Sequence, residues 1–340
     1  MMMLWLHLFG TDQAILENSE KYIYLWNGEP LIFAMRKFGR MCVVFYTFLG
    51  GYGLAKVYQR CGTYSGSGII SGMNNGRRTM KLFTSYWAVL ALFIAVAILL
   101  QPGRYPGSAN ELIQNITAVN CTYNDSLWFL MPYAILTLFA SPILKMAHTL
   151  RGTKLYLFLI AAYAVKIISY TAKTPFSGWG QMLLTNISNA SGLFFMFFVG
   201  AVFAHHSLIE QITKSIKLWL SRSFLVRRIH INASLICTIL LISLFTARIA
   251  VGASTLFDPI FILSMIPIYL CIEKPRWLTS ALGNLGKHST NIWFTHRYIL
   301  VLSGIAITFF RYPIAIFAAL IAACLVCSYI INALKKVLRI

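Results

Sequence analysis

The sequence predicts an all-α fold: a polytopic membrane bundle of about ten helices, with both termini cytoplasmic. Three observations carry that prediction. Charged residues make up only 11% of the 340-residue chain and hydrophobic ones 58%, where a soluble domain carries about 25% charge. Apolar runs of spanning length recur along the whole sequence, leaving no stretch for a separate soluble domain. Nineteen of the 29 Lys and Arg fall in alternate connections between those runs, seven in the others and three inside spans. By the positive-inside rule the rich connections are cytoplasmic. The net charge of +20 is then a topology signal with some attraction to anionic head groups, and points away from nucleic acid.

Taken in order, the first apolar stretch, residues 1–10, is too short to cross a bilayer, because a helix rises about 1.5 Å per residue against a core about 30 Å thick. It reads as part of a span and carries His7 at membrane depth. Spans follow at 39–57, 82–101, 127–146, 155–172, 187–206, 231–250, 256–272, 290–309 and 313–333. The connection 11–38 and the Pro-, Gly- and Asn-rich 102–126 are expected as outer, solvated loops. The second holds Asn115, Asn120 and Asn124 in glycosylation-type triplets, which read as chance products of an Asn-rich loop. The glycine-rich 58–80 is expected as a flexible cytoplasmic connection. Residues 207–230 alternate apolar and basic side chains at helical spacing, as an amphipathic helix along the inner leaflet does. Cys324 and Cys327, one turn apart in an apolar run, read as packing residues.

Few residues offer chemistry. An ionisable side chain at membrane depth is costly, so His7 is the first candidate, as a general base. Arg77, Arg78 and Lys81 precede the third span and form a cationic cluster suited to phosphate oxygens, although a positive-inside flank has the same composition. His296 and Arg297 lie inside the ninth span, where Arg297 is expected to face the bundle interior or a wet cavity, its structural reading being a buried partner for a carbonyl or Asp258. Lys166 and Arg248, near the outer ends of their spans, are expected to snorkel, and His205 and His206 to lie at the interface. There is no GxSxG, Walker, HExxH or DxD-type motif, so no metal site is expected. With nine acids in all, an ion-coupled carrier lacks its usual carboxylates.

These pieces resemble the membrane-bound acyltransferase family 3. MLWLHLFG resembles the end of the family's first helix with its histidine. CVVFYTFLGGYGLAKVY resembles the second-helix signature, with Gly50 in place of a serine. GRRTMKLFTSYW resembles the basic start of the third helix, as RxxK from Arg78 to Lys81. Trp128, Phe129 and Leu130 resemble the opening of the fourth, and LGKHSTNIWFTHRYIL resembles a late segment through Gly286, Ser289, Trp293 and His296. The resemblance covers essentially the whole chain. It implies one integral membrane domain over 1–340, in a bacterial inner membrane, that transfers an acyl group, acetyl in the first instance, from acyl-CoA to a hydroxyl of a cell-surface carbohydrate or exopolysaccharide precursor. It implies no bound cofactor, acyl-CoA as co-substrate, a carbohydrate acceptor, catalytic roles for His7, His296 and Arg297, and a donor clamp of Arg77, Arg78 and Lys81. The family's arginine eleven residues before its first-helix histidine would precede Met1, so the expectation is a first helix missing its N-terminal part. The alternative function is a flippase or permease for lipid-linked saccharides.

Overall fold

In the computed structural model, residues 1–9, 30–60, 68–171, 176–228, 230, 232–252, 254–302 and 312–337 are described. Among them the long regular elements are all helices. We number these α1 (Met2–Leu8), α2 (Leu31–Gly39), α3 (Cys42–Arg60), α4 (Gly68–Leu100), α5 (Ala109–Thr117), α6 (Leu130–Leu138), α7 (Ala140–Thr149), α8 (Gly152–Thr171), α9 (Gly178–His205), α10 (Leu208–Arg222), α11 (Ala233–Ala250), α12 (Asp258–Cys271), α13 (Arg276–Leu302) and α14 (Pro313–Val337). Six helical stretches among the described residues are long and apolar enough to cross a membrane, and a seventh if the bent pair α6–α7 counts as one span. Of the other expected spans, α12 has 14 residues and α1 has seven. The first half of α13 carries Arg276, Lys287 and His288 among its apolar residues. The end of the expected ninth span, 303–309, and the loop 11–29 lie outside the described residues.

The centre of the bundle is α9 against α3. A Cβ at Gly51 would lie 2.0 Å from Phe197 O, and one at Gly200 would lie 2.2 Å from Phe48 O. The two backbones therefore touch, as small residues allow where no hydrophobic force drives helix association in lipid. α6 and α7 meet at a 60° bend. Pro142, three residues into α7, has no N–H and displaces the carbonyl four residues back. That carbonyl, Leu138 O, faces Asn75 Nδ2 on α4 at 3.5 Å.

Three expected connections are more ordered than their composition suggests. Residues 31–39 of the first outer loop form α2, which starts at Pro30 and nearly abuts α3. The second outer loop contains α5, because Ser108 Oγ accepts the Glu111 amide hydrogen and caps it. Asn115 and Asn124 of its triplets are buried, and their amides already donate to Thr122 Oγ1 at 2.8 Å and Phe294 O at 3.1 Å. In place of a flexible 58–80, α3 runs to Arg60 and α4 starts at Gly68; 61–67 lie outside the described residues. The ends of α3, α7 and α9 and the early part of α4 gather at one end of the bundle, through Tyr58–Asn75, Gln59–His205 and His148–His205 contacts. We call this the basic end. α5 and Asp125 mark the opposite one.

Candidate functional site

α1 is held by its neighbours on three sides. Leu4 and Leu8 are buried in a cluster with Ile292, Leu300, Ile316 and Leu320 of α13 and α14. Trp5 Nε1 donates to Ile32 O on α2 at 3.3 Å. With its apolar neighbours so fixed, half-buried His7 meets α13, and its ring lies 5.2 Å from that of His296. His296 is fully buried. Its Nδ1 lies 2.8 Å from Trp293 O and 3.2 Å from Ile292 O. Carbonyls only accept, so Nδ1 carries the proton and Nε2 keeps its lone pair. Nε2 is buried without a hydrogen-bond partner, a costly state that marks a place where a donor is wanted.

Arg297, the next residue, points to the end opposite the basic one. Its Nε donates to Asp125 Oδ1 at 2.9 Å and its Nη2 to Oδ2 at 3.4 Å, a two-point grip. The sequence offered Asp258 as its partner; the structure corrects this to Asp125. The segment bearing Asp125 is stitched to α13 one turn before His296: Trp293 Nε1 donates to Ser126 O at 3.2 Å and Asn124 Nδ2 to Phe294 O at 3.1 Å. Asp125 and Arg297 both lie within electrostatic reach of His7. In the sequence the signal for Asp125 is its place just before the Trp128–Leu130 segment.

A cavity of about 320 Å³ runs between α1, α3 and α13, lined by Leu4, Tyr46, Gly286, Ser289 and Trp293 among others. Leu4 is one turn from His7 and Trp293 one turn from His296, so the space reaches to within a turn of the imidazole pair. A larger cleft of about 500 Å³ lies between α6, α7, α8 and α9. Its walls are apolar apart from Ser191, so it offers no convergent polar groups for chemistry.

At the basic end, the Arg78 guanidinium stands 5.7 Å from the Tyr58 ring. Tyr58 Oη donates to Asn75 Oδ1 at 2.6 Å, and Asn75 Nδ2 donates to Ser141 Oγ at 2.8 Å, so the surface under Arg78 is fixed. Arg78 Nη1 is buried without an acceptor. Arg77 and Lys81 are exposed. The six candidate residues thus form two groups. Arg78 lies eight residues, about 12 Å along α4, from Tyr86, whose ring packs on Phe294 two residues before His296.

Lys166 and Arg248 do not snorkel. Arg248 is fully buried, with Nε 2.7 Å from Asp258 Oδ1 and Nη1 donating to Gly252 O at 2.9 Å. Lys166 is 1% exposed and donates to Thr255 O at 3.3 Å. The short connection between α11 and α12 brings Asp258 back onto Arg248, so pairing replaces escape to the surface. His205 and His206 close α9 against His148 and Arg151.

A family model described as an acyltransferase domain matches residues 1–333. Neither the curated proteins nor the solved structures contain a match to this chain.

Proposed function

We propose, from the premise that the chain belongs to the acyltransferase 3 family, that this membrane acyltransferase carries an acyl group, acetyl in the first instance, from acyl-CoA to a carbohydrate hydroxyl. The observation that carries the reading is the close imidazole pair of His7 and His296, one member of which keeps a buried lone pair. His7 is the general base. It removes the acceptor hydroxyl's proton as the oxygen attacks the thioester carbonyl; the C–S bond then breaks and the leaving thiolate takes that proton back. His296 is a positioning residue, because its Nε2 can accept from His7 and so turn the other His7 nitrogen toward the acceptor. Arg297, fixed by Asp125, orients the acceptor or steadies charge on the carbonyl oxygen.

The donor docks at the basic end, cytoplasmic by the charge rule, with its phosphates on Arg77, Arg78 and Lys81 and its pantetheine arm directed toward the imidazole pair. The acceptor is a precursor of a surface polysaccharide, and the host membrane a bacterial inner one. The test uses membranes carrying the protein, acetyl-labelled acetyl-CoA and endogenous glycan. Label should enter glycan with the wild type and fall about 10²–10⁴-fold with His7→Ala at equal expression. Wild-type labelling by that variant removes His7 from the mechanism. Saccharide movement across the membrane with no label in glycan would favour the permease.

A further inference from the structure

The last turns of α14 return to the basic end, where Lys335 comes within electrostatic reach of Lys81 on α4. Its Nζ donates to Asn291 Oδ1 on α13 at 3.3 Å. That carboxamide is itself held: Asn291 Nδ2 donates to Ser328 Oγ and to Asn332 Oδ1, each at 2.9 Å. Ser328 Oγ in turn lies 2.7 Å from His288 Nδ1. Asn291, Ser328 and His288 are all buried, so the acceptor for Lys335 cannot rotate without breaking bonds that water would not replace.

A lysine near a helix C-terminus needs no special account, since the macrodipole favours it and snorkelling does the rest. Neither effect calls for a buried array behind it, or for packing of its helix against α4, which carries Lys81. Among the described residues no ion pair joins Arg78, Lys81 or Lys335 to a carboxylate. Arg78 Nη1 also remains a buried donor without an acceptor. Like charges brought together with an unfilled donor form a place for an oxyanion.

We propose that Lys335 is a further arm of the donor clamp, held in place by Asn291, and that with Arg78 and Lys81 it binds the phosphates of acyl-CoA. The assignment rests on the acyltransferase reading above. The amide of Lys335→Gln can still donate to Asn291 but carries no charge; Lys335→Arg keeps the charge. Purified protein is assayed with acetyl-CoA and with S-acetylpantetheine, which has no phosphates. Lys335→Gln should raise KM for acetyl-CoA about tenfold, the loss of one charge-assisted contact, with kcat and the pantetheine KM unchanged, and Lys335→Arg should stay near wild type. An acetyl-CoA KM unchanged in Lys335→Gln overturns the assignment. Equal losses on both donors, or a loss shared by Lys335→Arg, would make the residue structural and overturn it too. If the wild type neither binds nor uses acetyl-CoA, the donor reading itself fails, which is a separate result.

Discussion

Two arginine–carboxylate pairs in this bundle have nearly the same length and opposite settings. Arg248 Nε lies 2.7 Å from Asp258 Oδ1, with both side chains 0% exposed. Arg297 Nε lies 2.9 Å from Asp125 Oδ1, with the side chains 19% and 61% exposed. The first joins consecutive helices α11 and α12, and buried Lys166 lies within electrostatic reach of its carboxylate. The second joins α13 to the segment before α6, and lies within electrostatic reach of an ionisable ring. Contact distance alone does not separate a structural clasp from a working group. Burial and neighbours are what differ between these two: a sealed charge is costly to strand, whereas a partly open pair is screened by solvent and costs little to break.

Breaking the sealed pair should have the largest effect. Arg248→Met leaves the Asp258 carboxylate buried without its main partner, which costs about 3–5 kcal/mol. Lys166 limits the loss, because its ammonium remains within reach of Asp258. The expected result is a large drop in thermal midpoint in detergent. Arg248→Met/Asp258→Leu, which removes both charges, should recover part of it, the remainder being the Lys166 ammonium left buried without Asp258. A double variant as unstable as the single one would mean that the pair is more than a clasp.

The open pair should divide the other way. Arg297→Gln should cost about 1 kcal/mol or less in stability, as for exposed ion pairs. Glycan labelling should nevertheless fall about 100-fold, at the lower end of the range for one electrostatic contact to a reacting centre. Asp125→Asn keeps an acceptor for Arg297 and should lower labelling less. If Arg297→Gln unfolds the protein as Arg248→Met does, the contrast between the two sites is wrong. If it leaves labelling intact, Arg297 has no part in the chemistry.

The helical class could be read from the sequence because lipid imposes it: long apolar runs must be helical, and Lys and Arg mark alternate connections. His7 stood out for the same reason, as an ionisable residue at membrane depth. What the sequence did not yield was pairing over distance. Nothing near His296 announces a partner 289 residues earlier, and Asp125 reads like any loop acid until Asn124 and Trp293 tie its segment to α13. Two local signals lie in the sequence itself. Ser108 and Glu111 have the spacing of a capped helix start inside a loop-like stretch. Arg248 and Asp258 are opposite charges flanking a short connection, so closing that turn brings them together.

A third ion pair calibrates the other two and should give the smallest effect. Lys56 Nζ on α3 and Tyr52 Oη both donate to Glu210 Oε1 on α10, each at 3.0 Å. The side chains of Lys56 and Glu210 are 28% and 52% exposed. Partial burial pushes the Glu210 carboxyl up, but its own backbone amide, Lys56 and Tyr52 outweigh that and hold it below its ordinary value of 4.5. A carboxylate with a depressed folded-state pKa adds stability above its unfolded value and loses it as pH falls through the folded one. Solvent screening keeps the amount small, on the order of 0.5 kcal/mol. Glu210→Gln should therefore lower the thermal midpoint slightly at pH 7, and the difference from wild type should close as pH drops below 4.5. Labelling should not change, because α10 packs chiefly on α12 and α9. A loss comparable with that of Arg248→Met would mean that α10 is clamped as tightly as the α11–α12 turn, and burial would no longer rank these pairs.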